Sequence, residues 1–312
     1  MNIDVNQLLK SILDSTEIKS LALRDSMKIF LQPYSLENHN TWDYYRRKLI
    51  KVVTFFEDIG VTRTNQITSS VIQEYVGFRI RHVKPSTLNK EVCALGTMLN
   101  YLAELELIPK PDYKFQKFKE DDVLRTFLNP DQVELLYDYV AGQSLRKQVI
   151  IRLMVETGVR RTEITRIQLR NISLDEGFIY LSNLQTKAKK GRYLFLLPET
   201  KELIIDYLKQ YNPTVYLLEA TKTKAMTPSA ITSVLERIKK DLNLSDLSPH
   251  VLRRTFGTLM LNSGANIMCV KDLLGHSTLA QTMKYCLTTK KQLQTESIKY
   301  NPMYYSLKKK DA

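Results

Sequence analysis

Four short stretches beyond residue 150 carry side chains suited to chemistry on a phosphate ester. The first is Thr157-Gly158-Val159-Arg160-Arg161-Thr162-Glu163-Ile164. Gly158 ends an apolar run, so Arg160 falls in a tight turn ahead of a helix that Thr162 can cap. An arginine fixed between two packed helices can hold a phosphate with its planar fork. The second is the basic turn Thr186–Arg192, where Lys187 can swing into a groove and reach a leaving oxygen. The third is His250-Val251-Leu252-Arg253, whose His250 and Arg253 are three apart near a helix start and can address one anion. In the fourth, Leu273–Cys286, Gly275 breaks one helix and His276 stands in the turn. Ser277 can cap a further helix there, from about Thr278 to Cys286, that ends near Tyr285.

Taken singly, each stretch has a plainer explanation. An arginine in a turn is usually a surface or capping residue, a basic hairpin turn often only touches backbone phosphate, and a lone histidine more often packs than reacts. Tyr285 is one of 17 tyrosines, and such residues commonly sit at an apolar rim. Their joint order is what argues for a site: Arg, Lys, His-x-x-Arg, Gly-His and Tyr, all in one half of the chain.

The elements that would position these residues are legible as patterns. Between Thr41 and Ile59 the apolar positions Trp42, Tyr45, Leu49, Val52, Val53 and Phe56 recur every three or four residues, and Gly60 follows as a stop. A second helix runs through 69–82, capped by Ser69 or Ser70. The third follows Pro85-Ser86, with Leu88, Val92, Leu95, Leu99 and Leu102 as its stripe and Pro109 and Pro111 ending it. This N-terminal part is a compact all-α unit. The charged stretch 110–127 lacks sustained periodicity and reads as a linker.

Beyond it, Asn129, Pro130 and Gln132 form a helix start with a reciprocal cap. The run 148–158 is apolar nearly all round and reads as a central buried helix. Two β-prone runs, Phe178–Leu181 and Tyr193–Leu197, flank the polar turn as a hairpin. Helices resume over 198–211, from Thr227-Pro228 through Leu242, from Pro249 to Ser263 and from Ile267 to Leu274. The fold class is mostly α with a small antiparallel sheet, in two domains. The first spans 1–115 with a linker to about 126, and the second spans 127–312.

Composition sets the partner class. The chain of 312 residues carries a formal net charge of +13, which favours a polyanionic partner. Residues 1–120 hold 17 Lys and Arg against 14 Asp and Glu, whereas the remainder holds 29 against 19, so the excess lies with the candidate site. Cys93, Cys269 and Cys286 are far apart and form no metal-spaced pair, which argues against a disulfide framework and for a reducing compartment. The N-terminus lacks the apolar core of a signal peptide, and no apolar run reaches membrane-spanning length. The expected location is cytoplasmic and nucleoid-associated, with no membrane partner.

The four stretches resemble the boxes of the tyrosine site-specific recombinases, the family of phage integrases and Xer-type enzymes. Thr157–Ile164 fits the family's T-G-x-R-x-x-E-[LI] box without a gap. Lys187 sits where the hairpin lysine belongs, and His250–Arg253 fits H-x-L-R. Leu274-Gly275-His276 fits L-G-H, and Tyr285 follows His276 by nine positions, the family's usual separation. The likeness extends from about Ser35 through nearly the whole chain. Two positions depart from the pattern: Arg254 stands where many members have a second histidine, and Phe195 where a proline is common.

That resemblance implies an N-terminal helical core-binding (SAM-like) domain and an α+β catalytic domain, clamped around double-stranded DNA at a specific recombination site. It also implies a C-terminal tail exchanged between protomers of a DNA-bound homotetramer, with a monomer when free. Tyr285 would be the nucleophile and Arg160 and Arg253 the phosphate clamps, with His276 a further donor. Lys187 would be the acid for the leaving 5′-oxygen and His250 the base. No metal or nucleotide cofactor is expected. A type IB topoisomerase, an inactive DNA-binding relative and a helix-turn-helix regulator are the alternatives, and none accounts for the ordered boxes as well.

Overall fold

The structure, a computed structural model, describes residues 20–37, 39–112, 117–119, 126–182 and 191–285. The chain divides into two compact units, 1–123 and 124–312. Lys187, Cys286 and the C-terminal segment fall outside the described residues.

The first unit is helical. It comprises α1 (Leu23–Glu37), α2 (His39–Asp58), α3 (Ser69–Arg79) and α4 (Pro85–Glu104). The periodic stripes face one core, in which Leu49, Val52, Val53, Phe56, Leu88, Val92, Leu95, Leu99 and Leu102 are all buried. Helix α1 has no counterpart among the periodic runs assigned from sequence, in part because Pro33 lies inside it. Leu23, Ile29, Phe30 and Leu31 nevertheless bury their side chains in that core. The cap of α3 is Thr68, whose side chain accepts from the Val71 N–H, and neither Ser69 nor Ser70 plays that part. Helix α4 stops at Glu104, ahead of the prolines, because Glu106 turns the chain with a left-handed φ of 58°.

The stretch read as linker is partly tied down. Asn89 of α4 donates to the Phe118 carbonyl at 3.0 Å and accepts from its N–H at 2.9 Å, and the Phe118 ring packs on the first unit's core. A second buried feature of this unit is Glu91, which is fully enclosed. It accepts from Arg79 (2.9 and 3.1 Å) and from the Tyr75 hydroxyl (2.9 Å), with the Lys48 and Lys51 ammonium groups at 3.9 and 4.0 Å. Burial alone would raise its pKa, but the bonds from Arg79 and Tyr75 hold it below the usual carboxylate range.

The second unit opens with α5 (Pro130–Ala141), whose Asn129 and Gln132 exchange side-chain-to-backbone bonds at 2.8 and 3.0 Å as the sequence predicts. Helix α6 (Leu145–Thr157) is the central one, with Val149, Ile150, Ile151, Leu153, Met154 and Val155 buried. It is followed by a single turn, α7 (Arg161–Ile164). Three antiparallel strands, β1 (Ile172–Ser173), β2 (Phe178–Leu181) and β3 (Arg192–Phe195), form a sheet in that order. Leu181 pairs with Arg192 and Ile179 with Leu194, so these four share the buried face, while Tyr193 and Phe195 point outward.

Helices α8 (Pro198–Tyr211) and α9 (Pro228–Asp241) bracket a small hairpin of β4 (Glu219–Thr221) and β5 (Lys224–Ala225), which no sequence pattern marks. The chain then forms α10 (Pro249–Asn262), α11 (Ile267–Leu274) and α12 (Leu279–Met283). Among the described residues no helix is long and apolar enough to cross a membrane.

Candidate active site

The second unit gathers four of the sequence-selected residues, Arg160, Arg253, His276 and Tyr285, around one feature, the C-terminal end of α11. Gly275 adopts a left-handed conformation with φ 64°. Its N–H then bonds back to the Asp272 carbonyl and the His276 N–H to the Lys271 carbonyl, both at 3.0 Å. This paired closure stops the helix and satisfies two of its last carbonyls. The next three, those of Leu273, Leu274 and Gly275, are each taken by a different arginine. Arg192 Nε donates to Leu273 at 3.0 Å, Arg253 Nη2 to Leu274 at 2.6 Å and Arg160 Nη2 to Gly275 at 3.0 Å. The negative end of a helix dipole favours cations there, and the backbone accounting closes.

Each arginine reaches the turn from another element. Arg160 stands at the cap position of α7, behind Gly158, whose φ of 59° ends α6. A Cβ on Gly158 would lie 2.7 Å from the Phe256 ring and 2.8 Å from Leu274, so only glycine lets α6 end this close to α10 and α11. Thr162 lies inside the single turn and is not its cap, which corrects the sequence reading: the turn is too short to leave a residue between Arg160 and its first position. Arg253, on α10, is 3% exposed and also donates from Nη1 to the Gly158 carbonyl at 2.6 Å. It therefore ties the end of α6 to the end of α11.

The sequence marks Arg192 only as the last residue of a basic turn. It is instead the first residue of β3 and a core-facing one. Its guanidinium donates to both oxygens of Glu163, from Nη1 at 3.1 Å and Nη2 at 2.6 Å, and Glu163 also accepts from Arg160 Nη1 at 2.8 Å and from the Arg160 N–H at 2.9 Å. Burial would raise the Glu163 pKa, but the two arginines outweigh it and bring it to about 2. The signal available in the sequence is period two: Arg192 shares its strand face with Leu194, and a charge on a core face needs a partner.

His276 follows the turn and is nearly buried, with Nδ1 2.8 Å from the Thr282 hydroxyl. Its ring stacks on Tyr285 at a centroid distance of 5.6 Å and 19° between planes. Helix α12 is shorter than the sequence suggests. It begins after Thr278, not Ser277, and stops at Met283, which leaves Tyr285 in the turn beyond it, its N–H bonded to the Thr282 carbonyl. The Tyr285 ring packs with Val270 and Leu274 and is 9% exposed. Thr282 thus orients the histidine and holds the tyrosine's backbone, a role that no sequence pattern singles out. His250 sits in the first turn of α10 and is exposed, unlike Arg253 one turn on. Lys187 lies outside the described residues.

Burial pushes the His276 pKa down to about 4, with Arg253, Arg160 and Arg192 adding to the effect, so the ring is neutral at pH 7. Burial likewise lowers Arg253 to about 10, which leaves it protonated. A proton on His276 is disfavoured in the fold, so its contribution to stability is complete above the ordinary value near 6.5 and is lost as pH falls toward about 4. An NMR titration of the His276 ring in the protein alone should give a midpoint near 4, rising when a phosphodiester occupies the arginine cluster. A midpoint at the ordinary value would contradict this arrangement of charges.

A family model described as "Phage integrase family" matches residues 126–292. A tyrosine recombinase XerC of Staphylococcus aureus (strain MRSA252) is 29% identical over 287 residues, covering 88% of this chain and 95% of that protein. Among solved structures, the XerH site-specific recombinase bound to palindromic difH substrate matches with a TM-score of 0.73 at 18% identity, over 89% of this chain and 84% of that one. The Tn1549 transposon integrase in complex with transposon right end DNA matches with a TM-score of 0.72 at 17% identity, over 90% and 99%. At such identities the structural matches speak to the fold.

Proposed function

Because the chain belongs to the phage integrase family, we propose that it is a tyrosine site-specific recombinase that cleaves and rejoins duplex DNA through Tyr285. The observation that carries this reading is the convergence of Arg160, Arg253, His276 and Tyr285 on the end of α11. Tyr285 Oη attacks a phosphorus in line. A 3′-phosphotyrosyl bond forms, the bond to the 5′-oxygen breaks, and that oxygen leaves as a hydroxyl once protonated. The 5′-hydroxyl of a second strand then reverses the step with a new partner. The ester energy is conserved in the phosphotyrosine, so no nucleotide is consumed.

A free phenol has a pKa of about 10, so forming a phenolate at neutral pH costs roughly 4 kcal/mol. The arginine cluster offsets this by stabilising the charge that gathers on the non-bridging oxygens. If Thr282 donates to Nδ1 of the neutral His276, the ring proton is on Nε2 and free to donate to the same oxygens. His250 is the base for the Tyr285 proton, and Lys187 the acid for the 5′-oxygen. The biological role is integration or excision of a mobile element, or resolution of DNA multimers, on a protein that assembles as a homotetramer on its site. The relatives whose descriptions name DNA substrates support a DNA partner here.

The test starts from genomic fragments of the source organism, incubated with the protein and denatured. Fragments covalently linked to the protein identify the site, and a nicked duplex of that sequence then traps the adduct. Adduct formation and rejoining to a second duplex should persist in EDTA. No adduct on any fragment, or its loss on chelation, would overturn the reading, and rejoining confined to the original duplex would leave only a topoisomerase activity.

The first unit should bind phosphates of the duplex backbone. Arg79, Lys48 and Lys51 are held together by the buried Glu91, and a fixed cluster of this kind grips a backbone without reading sequence. In a binding titration with duplex DNA, the double substitution Lys48→Gln and Lys51→Gln should flatten the plot of log affinity against log salt by about 1.8, near 0.9 for each phosphate no longer neutralised. An unchanged slope would place the DNA-binding surface of this unit elsewhere.

A further inference from the structure

We infer that Arg192 is a positioning residue for DNA cleavage, which occupies the Glu163 carboxylate and so limits Arg160 to a single side-chain bond with it, leaving the remaining N–H groups of the Arg160 guanidinium for the scissile phosphate. The inference rests on the recombinase reading above and adds to it a residue that acts through another.

Glu163 is 1% exposed and ionised. A carboxylate enclosed to that degree must be paired, and two guanidinium groups are within reach. Arg192 takes both oxygens, in the parallel two-bond geometry that arginine and carboxylate prefer. Arg160 therefore meets Glu163 through Nη1 and its own N–H only, while Nη2 stays on the Gly275 carbonyl beside His276. Without Arg192, the carboxylate would be left with Arg160, three residues away on the same turn. The stronger arrangement would then be a two-bond pair with Arg160, drawing its fork off Gly275 and cancelling its charge.

The charge balance points the same way. Arg160, Arg192 and Arg253 against Glu163 leave two net positive charges in the cluster, since His276 is neutral. Attack of an aryl oxide on a diester anion passes through a phosphorane-like state bearing two negative charges, which that net charge matches. Loss of Arg192 leaves one. Arg192 also fixes the turn itself: its Nε holds the Leu273 carbonyl, and its Cδ lies 3.0 Å from where a Gly275 Cβ would be.

The experiment is a double-mutant cycle on the full-length protein, read as single-turnover cleavage of the nicked duplex captured by the wild type. R192M in the wild-type background should lower the rate about 100-fold, the scale of losing one well-placed donor to the transition state. In an E163Q background no carboxylate remains to capture Arg160, so adding R192M should cost at most about tenfold, a coupling between neighbours that the cycle isolates. A second readout replaces one non-bridging oxygen at the scissile position by methyl, which removes one negative charge from the transition state. On that methylphosphonate, R192M should lose less than about tenfold, because the remaining charge now matches.

Equal losses in both backgrounds, or equal losses on the two substrates, would make Arg192 a structural residue only and overturn the inference while leaving the recombinase reading intact. Should R192M alone fail to fold, the E163Q/R192M protein, in which the Glu163 carboxylate is not left behind without Arg192, decides the matter against E163Q. Absence of any adduct with the wild type would instead refute the recombinase reading itself.

Discussion

Tyr285→Phe should abolish covalent adduct formation while leaving duplex binding within about twofold, because the substitution removes one oxygen and little else. The phenylalanine ring can keep the stacking on His276 and the packing against Val270 and Leu274, so neither the fold nor the arginine cluster has cause to move. The measurement is a denaturing gel of the protein with a nicked duplex, beside an affinity titration. An adduct formed by the variant would mean that another of the tyrosines attacks, and that the nine-residue spacing from His276 does not mark the nucleophile.

Arg253→Lys should lower cleavage by about 100- to 1,000-fold, the range seen when a preorganised donor to a transition-state oxygen is lost. It should also destabilise the protein. Arg253 spans the Gly158 and Leu274 carbonyls at 2.6 Å each, and a single ammonium nitrogen does not reproduce a planar fork. Leaving one buried carbonyl without a donor costs about 1–3 kcal/mol. The pH dependence should change as well. Burial and the neighbouring arginines already press Arg253 down to about 10, and a lysine starts about two units lower. The residual activity of the variant should therefore decline as pH rises through the mildly alkaline range, where the wild type still holds its charge. Thermal unfolding and a pH–rate profile check the two parts, and a variant with wild-type rate and stability would make Arg253 dispensable to both.

Much of the architecture was legible from local signals, since helices that bury one face must repeat apolar residues at their own period. The stripe from Leu88 to Leu102, the Asn129–Gln132 cap and the glycine stops at Gly158 and Gly275 all stand where the sequence places them. Helix α1 escaped because a proline interrupts its pattern, and the β4–β5 hairpin because strands of three and two residues are too short to show a period. The cap of α3 was placed one or two residues late, on Ser69 or Ser70, and that of α12 one residue early, on Ser277, because threonine is also a favoured cap and Thr68 and Thr278 stand beside those serines.

For the proposed site, the sequence by itself determined which residue types occur and in what order, with Arg160, Lys187, His250, Arg253, His276 and Tyr285 as the candidates, and the family they resemble. It also determined the excess of positive charge around them. Tertiary structure alone decided that three arginines converge on three consecutive carbonyls, because the bonds from Arg160 to Gly275, Arg192 to Leu273 and Arg253 to Leu274 span 115, 81 and 21 residues. It alone decided that Arg192 belongs to the cluster, since the difference between a solvated turn residue and a buried strand residue lies in where β3 begins. The orientation of His276 by Thr282 is a matter of the same kind, settled when α12 folds back beside the turn. A side-chain hydrogen bond leaves no periodic trace in the chain that makes it, so such pairings exist only once the elements have packed.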